Sequence, residues 1–414
     1  MVVPGMRPRR PMGLAARTHR DAHLRRHRRD PPGSSSMTVP PDAWRPNAQA
    51  LADQLSDQGE ITDPAWRRTV AHVPRHVFVP AFYSDDDPPE LLDATTPHWL
   101  GLVYSNDTLV TQRKEHPDQP GTLWSTSSST RPSLMLRMLH ILDVADAMTV
   151  LEIGTGTGYN AALLSDRLGS SQVVSVDIDP ELINAAQSRL ADAGYHPTLI
   201  VGDGAQGCPA RAPYDRLIAT VATERIPYAW VEQTRPGGVI LADVRPRGMT
   251  WAGALARLTV ADDGTATGPL ITCTWGFMSA RRDVARPGIP EGVPIDTSTT
   301  HTRASDIGRG ALRTPGLALL IWQRLPGLNA FPSATTSLLT TPDGSWASVS
   351  DDTPAKIEHG GPSDIWRHVE DAHAWWTAHN RPGVEAFGLT IGLGQQRLWF
   401  QTPEGESWPA PGQS

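Results

Sequence analysis

Apolar positions along this chain recur at two spacings, and the change from one to the other marks out its elements. From residue 42 to about 79 they fall three or four apart. Leu51 and Leu55 lie on one face of a predicted helix over 47–55, and Asp63-Pro64 offers a side-chain cap and a first-turn proline for a second helix. The stretch 81–124 is rich in Pro and Asp and predicts one strand, at Leu109-Val110-Thr111. Between Met148 and Trp275 short apolar runs alternate with helix-spaced segments. Strands are predicted at 149–153, 172–176, 198–201, 214–220 and 235–241, then an antiparallel pair at 253–260 and 269–275 joined around Asp263-Gly264. Such alternation predicts a mostly parallel sheet covered by helices on both faces. Residues 281–308 are Pro, Gly, Thr and Ser with little apolar content and read as a linker. Beyond it lie an apolar run at 316–322, turns at Pro342-Asp343-Gly344 and Pro403-Glu404-Gly405 that suggest hairpins, and a predicted helix over 365–379.

Composition narrows the class. With 414 residues, 39% apolar, the chain contains no apolar run near the roughly 18 residues needed to cross a bilayer. Cys208 and Cys273 are the two cysteines, so a disulfide framework is not expected and a reducing cytoplasm fits. The net charge of -7 is unevenly spread: residues 1–36 hold nine arginines against Asp21 and Asp30, leaving the rest strongly acidic. That acidity argues against a nucleic-acid function for the body. The Arg-rich start lacks the apolar centre of a secretory signal. It is open to two readings, a tail for nucleic acid or an acidic surface, or an unstructured leader preceding a working start at Met37, and the second is expected. The expected organisation is a leader at 1–36, a helical cap region at 37–124, a core at 125–280, the linker at 281–308 and an accessory α+β domain at 309–414.

The candidate chemistry begins where the first core strand ends. Glycines 154, 156 and 158 follow it directly and precede a helix-spaced segment, so the backbone can turn tightly and approach a ligand. The second strand ends at Asp177, 23 residues past Gly154, where a carboxylate can accept from a ribose diol. The third ends in Gly202-Asp203-Gly204, whose acid can accept from an adenine amino group. A dinucleotide site usually has G-x-G-x-x-G; here the third glycine comes one residue early, and Glu152 stands just before the loop. An acid there would repel pyrophosphate but suits a ligand with a cationic amino-acid end, such as S-adenosylmethionine. The candidate cofactor residues are Glu152, Gly154, Thr155, Gly156, Gly158, Asp177, Ile178, Gly202, Asp203, Gly204 and Thr220.

A parallel sheet ending in an antiparallel hairpin resembles the class I S-adenosylmethionine-dependent methyltransferase fold. That implies a Rossmann-like, mostly parallel seven-stranded α/β sheet with an antiparallel last strand. The segments Val73 to Pro80, Val150 to Tyr159, Val201-Gly-Asp-Gly204 and Arg235-Pro-Gly-Gly238 resemble, in order, the protein-L-isoaspartate O-methyltransferases. The resemblance implies methylation of an aspartate-derived carboxylate and an active segment ahead of the first strand. Its counterpart is Ser128-Ser129-Thr130-Arg131-Pro132, in which Ser129 replaces an apolar residue and Thr130 a serine. With the C-terminal extension, 37–414 is similar to a branch that accompanies ATP-grasp ligases maturing ribosomally made peptides (graspetides). This implies an aspartate of a modified precursor peptide as acceptor, an aspartimide as the later product, and the ligase of the same pathway as a partner. General repair of isoaspartyl proteins is the alternative, and a non-catalytic peptide-binding subunit the second.

Bland readings stand beside these. Ser128, Ser129 and Thr130 also suit the cap of a helix over 132–142 with Pro132 in its first turn. Seven tryptophans after residue 300 read as a core, with a peptide-gripping groove the sharper alternative. Histidines 359, 368, 373 and 379 lack ligand spacing, so no metal site is expected, and neither a nucleic-acid nor a membrane partner is.

Overall fold

The computed structural model describes residues 42–411 apart from 87, 117–118, 248–251, 274 and 283–294; the leader expected over 1–36 lies outside them. The N-terminal helices form as their spacing dictates. Arg45–Asp57 buries Ala48, Leu51, Ala52 and Leu55, and Pro64–His72 is capped by Asp63, which accepts from the Ala65 N–H at 2.7 Å. A four-stranded antiparallel sheet follows: β1 (Ala81–Tyr83), β2 (Leu91–Asp93), β3 (Leu109–His116) and β4 (Gln119–Ser129), in the order β2-β1-β3-β4. The strand expected at 109–111 is the start of β3.

The core strands are β5 (Val150–Ile153), β6 (Val173–Asp177), β7 (Thr198–Val201), β8 (Tyr214–Thr223), β9 (Thr234–Val244), β10 (Ala254–Val260) and β11 (Ala266–Ile271). The first five are parallel, with β5 central between β6 and β8. Chain order reverses at β5, which makes its carboxyl end a topological switch point. Strand parity builds the two faces. Leu151, Ile153, Val174, Val176, Leu217 and Ile240 point into one core, while Val150, Val173, Ile218, Val239 and Leu241 point into the other, under helices Pro132–Leu142 and Tyr159–Leu168. This is the α/β arrangement of class I S-adenosylmethionine-dependent methyltransferases. The antiparallel strand is β10, and β11 turns back beside it.

The C-terminal region departs from the expected partition. A five-stranded antiparallel sheet contains β12 (His301–Ser305), β13 (Asn329–Pro332), β14 (Thr336–Thr340), β15 (Trp346–Ser350) and β16 (Ala355–Gly360), in the order β12-β16-β15-β14-β13. β12 therefore lies inside the stretch expected as a linker, 281–308. Then β17 (Phe387–Gly392), β18 (Gln395–Phe400) and β19 (Ser407–Pro409) extend the core sheet to ten strands, β17 pairing antiparallel with β11. Residues 309–414 are thus not a separate accessory domain: Trp322, Trp366, Phe387 and Leu398 share one hydrophobic core with β5 to β9, and the described residues belong to one compact unit. The tryptophans take the core role. Trp322, Trp346, Trp366 and Trp399 are buried, and Trp375, Trp376 and Trp408 pack on the core. No helix of the described residues is long and apolar enough to cross a membrane.

Candidate active site

A cleft of about 1010 Å³ opens over the carboxyl ends of β5, β6 and β8. Its floor is the glycine loop after β5. Gly154 has φ +100°, and a Cβ there would stand 2.8 Å from the Thr220 Oγ1 and 2.9 Å from the Val221 Cγ1, so only glycine fits. The Thr220 hydroxyl donates to the carbonyls of Ile153 and Gly154 at 3.1 and 2.7 Å, which ties β8 to the loop. Gly156 also has positive φ and faces the active segment, with Ser127 Oγ 3.6 Å from its Cβ position.

Glu152 shares its strand parity with Val150, so it points beneath the loop toward helix Tyr159–Leu168. Although it abuts the cleft, it is fully buried under the floor. Its oxygens accept from Asn160 Nδ2 at 2.7 Å and Ser175 Oγ at 2.5 Å. Ser175 is its register neighbour on β6 and also bonds Thr155 Oγ1 at 2.6 Å. Burial raises the Glu152 carboxyl to about 7, against the opposing pull of these two hydrogen bonds, and Asp177 adds to the rise. Glu152 thus underpins the glycine loop from the cleft floor, each oxygen taking one scaffold hydrogen bond and keeping a second lone pair.

Asp177 lines the cleft and is largely buried. It accepts from the Gly156 N–H at 2.9 Å and the Asp179 N–H at 3.0 Å, one on each oxygen. Burial raises its pKa, opposed by those N–H groups and by Arg281. Each oxygen keeps a second lone pair for a ligand. Ile178, Asp203, Gly204 and Thr155 line the same cleft. Asp203 is exposed and caps the turn at Ala205 (2.9 Å), while a Cβ on Gly204 would come 2.5 Å from Ile153 Cγ2. Gly158 and Gly202 do not line it. Gly158 (φ +87°) lets its helix approach Ala186, 3.1 Å from its Cβ position, and the Gly202 N–H donates to the Asp177 carbonyl at 2.9 Å.

The end of β4 forms the opposite wall, where Ser128, Ser129 and Thr130 all line the cleft. The Ser129 hydroxyl is buried and has no partner among the described residues. The capping alternative fails on geometry: Arg131, at the N-cap of Pro132–Leu142, makes no side-chain cap bond, and the Ser133 N–H is met by Asn106 Oδ1 at 3.0 Å. Sequence reasoning missed Arg75, which holds this wall. Fully buried, it donates to the carbonyls of Val103 (2.9 Å), Ser105 (2.7 Å), Asp107 (3.0 Å) and Thr130 (3.4 Å). Burial lowers its pKa to about 10. A lone cation inside the apolar run 73–79 was the available signal.

The remaining walls were also missed. Loop 224–228 after β8, segment 275–282, Arg245 and Arg247 after β9, and the turn Gly392 to Gln396 between β17 and β18 all reach the cleft. Arg245 is buried, donating from Nε to Asp243 Oδ2 at 2.7 Å and from Nη2 to the Trp275 carbonyl at 3.0 Å. Burial raises the pKa of Asp243 against that arginine. The described residues hold no cluster of His, Cys, Asp and Glu fit for a metal.

Residues 104–265 match the family model described as protein-L-isoaspartate(D-aspartate) O-methyltransferase. Over 116 residues the chain is 46% identical to the protein-L-isoaspartate O-methyltransferase of Azorhizobium caulinodans, covering 28% of this chain and 52% of that protein. Over 189 residues it is 31% identical to that of Methanosarcina mazei, covering 45% and 66%. The chain spans between about half and two thirds of the length of such curated relatives. A solved protein-L-isoaspartate O-methyltransferase superposes with a TM-score of 0.49 at 19% identity, covering 86% of this chain and 100% of that one. These similarities centre on the segment that carries the core strands and the glycine loop.

Proposed function

We propose that the protein is an S-adenosylmethionine-dependent carboxyl O-methyltransferase acting on an aspartate-derived side chain, with isoaspartyl residues as the acceptor the comparisons favour. One observation carries the reading: the buried Ser129 hydroxyl, without a partner among the described residues, shares a cleft with the glycine loop and the Asp177 carboxylate. The site fits the cofactor. Gly154 and Gly156 leave room where side chains would stand, Asp177 has free lone pairs for the ribose, and Asp203 is exposed at the cleft edge for the adenine. When bound, S-adenosylmethionine supplies an electrophilic methyl group on a sulfonium.

The protein's own part is alignment and exclusion of water. An acceptor carboxylate, with a reference pKa near 3.9, is already ionised at neutral pH and needs no general base. This suits a wall of hydroxyls without His or Glu. Ser128, Ser129 and Thr130 orient the carboxylate oxygens by donating to them, and Arg75 fixes the Thr130 backbone from behind. On the resulting ester the next backbone nitrogen can attack the carbonyl and expel methanol, closing a succinimide without a second catalytic apparatus.

A modified precursor peptide is the second reading. It is favoured by the substituted segment 128–130 and by the C-terminal turn in the cleft wall. The test is incubation with S-adenosylmethionine and, in parallel, an isoaspartyl peptide, its aspartyl twin and a cross-linked precursor, followed by mass spectrometry. A methyl gain on the isoaspartyl peptide, with methanol loss on standing, is expected. Gain on the precursor alone moves the assignment to peptide maturation, and no gain on any acceptor refutes catalysis.

A further inference from the structure

The chain is acidic, at -7, yet its cleft is not. Apart from the carboxyl ends of β5, β6 and β7, the lining segments bring in six arginines, Arg131, Arg225, Arg245, Arg247, Arg281 and Arg282, against a single carboxylate, Glu224. Three are engaged with the scaffold. Arg245 is paired with Asp243, Arg131 lies 4.1 Å over the Trp275 ring, and Arg281 stands 3.8 Å from Asp179. Arg247 reaches Glu224 at 4.0 Å, and Arg225 and Arg282 make no ion pair with another described residue. Loop 224–228 is pinned from the C-terminal extension: the Gln396 side-chain amide donates to the Ile226 carbonyl at 2.5 Å and its oxygen accepts from the Ile226 N–H at 3.2 Å.

Gathering like charges around one cleft is unfavourable unless a ligand of opposite sign offsets it. The cofactor does not, because its sulfonium leaves it net positive beside a zwitterionic amino-acid end. The acceptor carboxylate brings one negative charge. We infer that the acceptor is an acidic peptide, carrying further carboxylates beside the one methylated, and that Arg225, Arg247 and Arg282 read them. This rests on the carboxyl-methyltransferase reading. It explains how an acidic protein takes an acidic substrate: a local positive field overrides the global one within a Debye length of about 8 Å at physiological salt.

The experiment uses the full chain and three fluorescent peptides of one length, each with a single isoaspartyl acceptor and flanked by four Glu, four Gln or four Lys. Binding is read by anisotropy and methyl transfer by mass spectrometry, at low and high salt. The Glu-flanked peptide should be favoured about tenfold or more over the Gln-flanked one, mainly in KM, and the gap should close as salt rises. The R225Q/R282Q variant should lose this preference while its affinity for S-adenosylhomocysteine, by calorimetry, stays within about twofold. Equal binding of Glu- and Gln-flanked peptides, an undiminished preference in the variant, or weakened S-adenosylhomocysteine binding by the variant overturns the inference. If no peptide is methylated, the activity reading fails, and the anisotropy series still decides the charge preference by itself.

Discussion

Glu152 makes the stability of this protein depend on pH in a direction opposite to that of an ordinary surface acid. In the unfolded chain it ionises near 4.5; in the folded protein burial holds it protonated up to about 7. Between these values the folded state keeps a proton that the unfolded state has released, so stability falls as pH rises. The stabilisation is fully present below 4.5 and lost by the time pH passes about 7. At 1.36 kcal/mol per pH unit this window is worth about 3 kcal/mol. Full burial means that solvent does not screen it away. Glu152→Gln removes the titration but keeps the shape: its oxygen can accept from Asn160, and its NH2 can donate to Ser175 once that hydroxyl turns. The variant should therefore match wild type near pH 5 and exceed it by up to about 3 kcal/mol near pH 8. Urea unfolding of both proteins at half-unit steps from pH 5 to 8 measures the difference, and other titrating groups cancel in the subtraction. A difference that stays flat across the series, or grows toward acid, would refute the burial argument.

Gly154→Ala must place a methyl group 2.8 Å from Thr220 Oγ1 at φ +100°. Strain and overpacking together should cost about 2 kcal/mol or more, with weaker S-adenosylhomocysteine binding by calorimetry; unchanged stability and affinity would contradict it. Asp177→Ala deletes the proposed ribose acceptor and should weaken the same affinity by about 2–3 kcal/mol; an unaltered isotherm removes the assignment. Ser129→Ala should lower methyl transfer and leave cofactor affinity intact, as should Thr130→Ala, and full turnover by either variant excludes that hydroxyl from the site. Arg75→Met strands carbonyls at 103, 105 and 107, each worth about 1–3 kcal/mol when left without a donor. A thermal midpoint equal to wild type would show that water replaces the guanidinium.

Much of the core sheet was legible because each of its elements is local. The run 149–153, the glycines after it and the acid ending the next strand lie close together in sequence, and their order alone implies a switch-point cleft. Parity within β5 was legible too. Val150 and Glu152 share one face and Leu151 and Ile153 the other, which sets Glu152 beneath the glycine loop. Arg75 was hidden because its acceptors are backbone carbonyls up to 55 residues away. Strand β12 was illegible for a different reason: His301 to Ser305 is an edge strand with one buried position, so it has no apolar alternation to read.

The C-terminal extension shows how a local reading misassigns a domain. Residues 309–414 have their own hairpins and helix, and so look autonomous. Yet β17 pairs with β11 across more than a hundred residues, and that pairing leaves no local pattern because the two strands lie so far apart in the sequence. Its consequences reach the site. The β17–β18 turn lines the cleft, and Gln396 from β18 fixes the loop that carries Glu224 and Arg225. Removing 309–414 would uncover the β11 edge and strip Trp322, Trp366 and Leu398 from the core shared with β5 to β9, so truncation cannot isolate an intact core sheet. The extension is better understood as a third wall of the substrate cleft, and substitutions in the turn are the way to test it, since they alter the wall and leave the core filled.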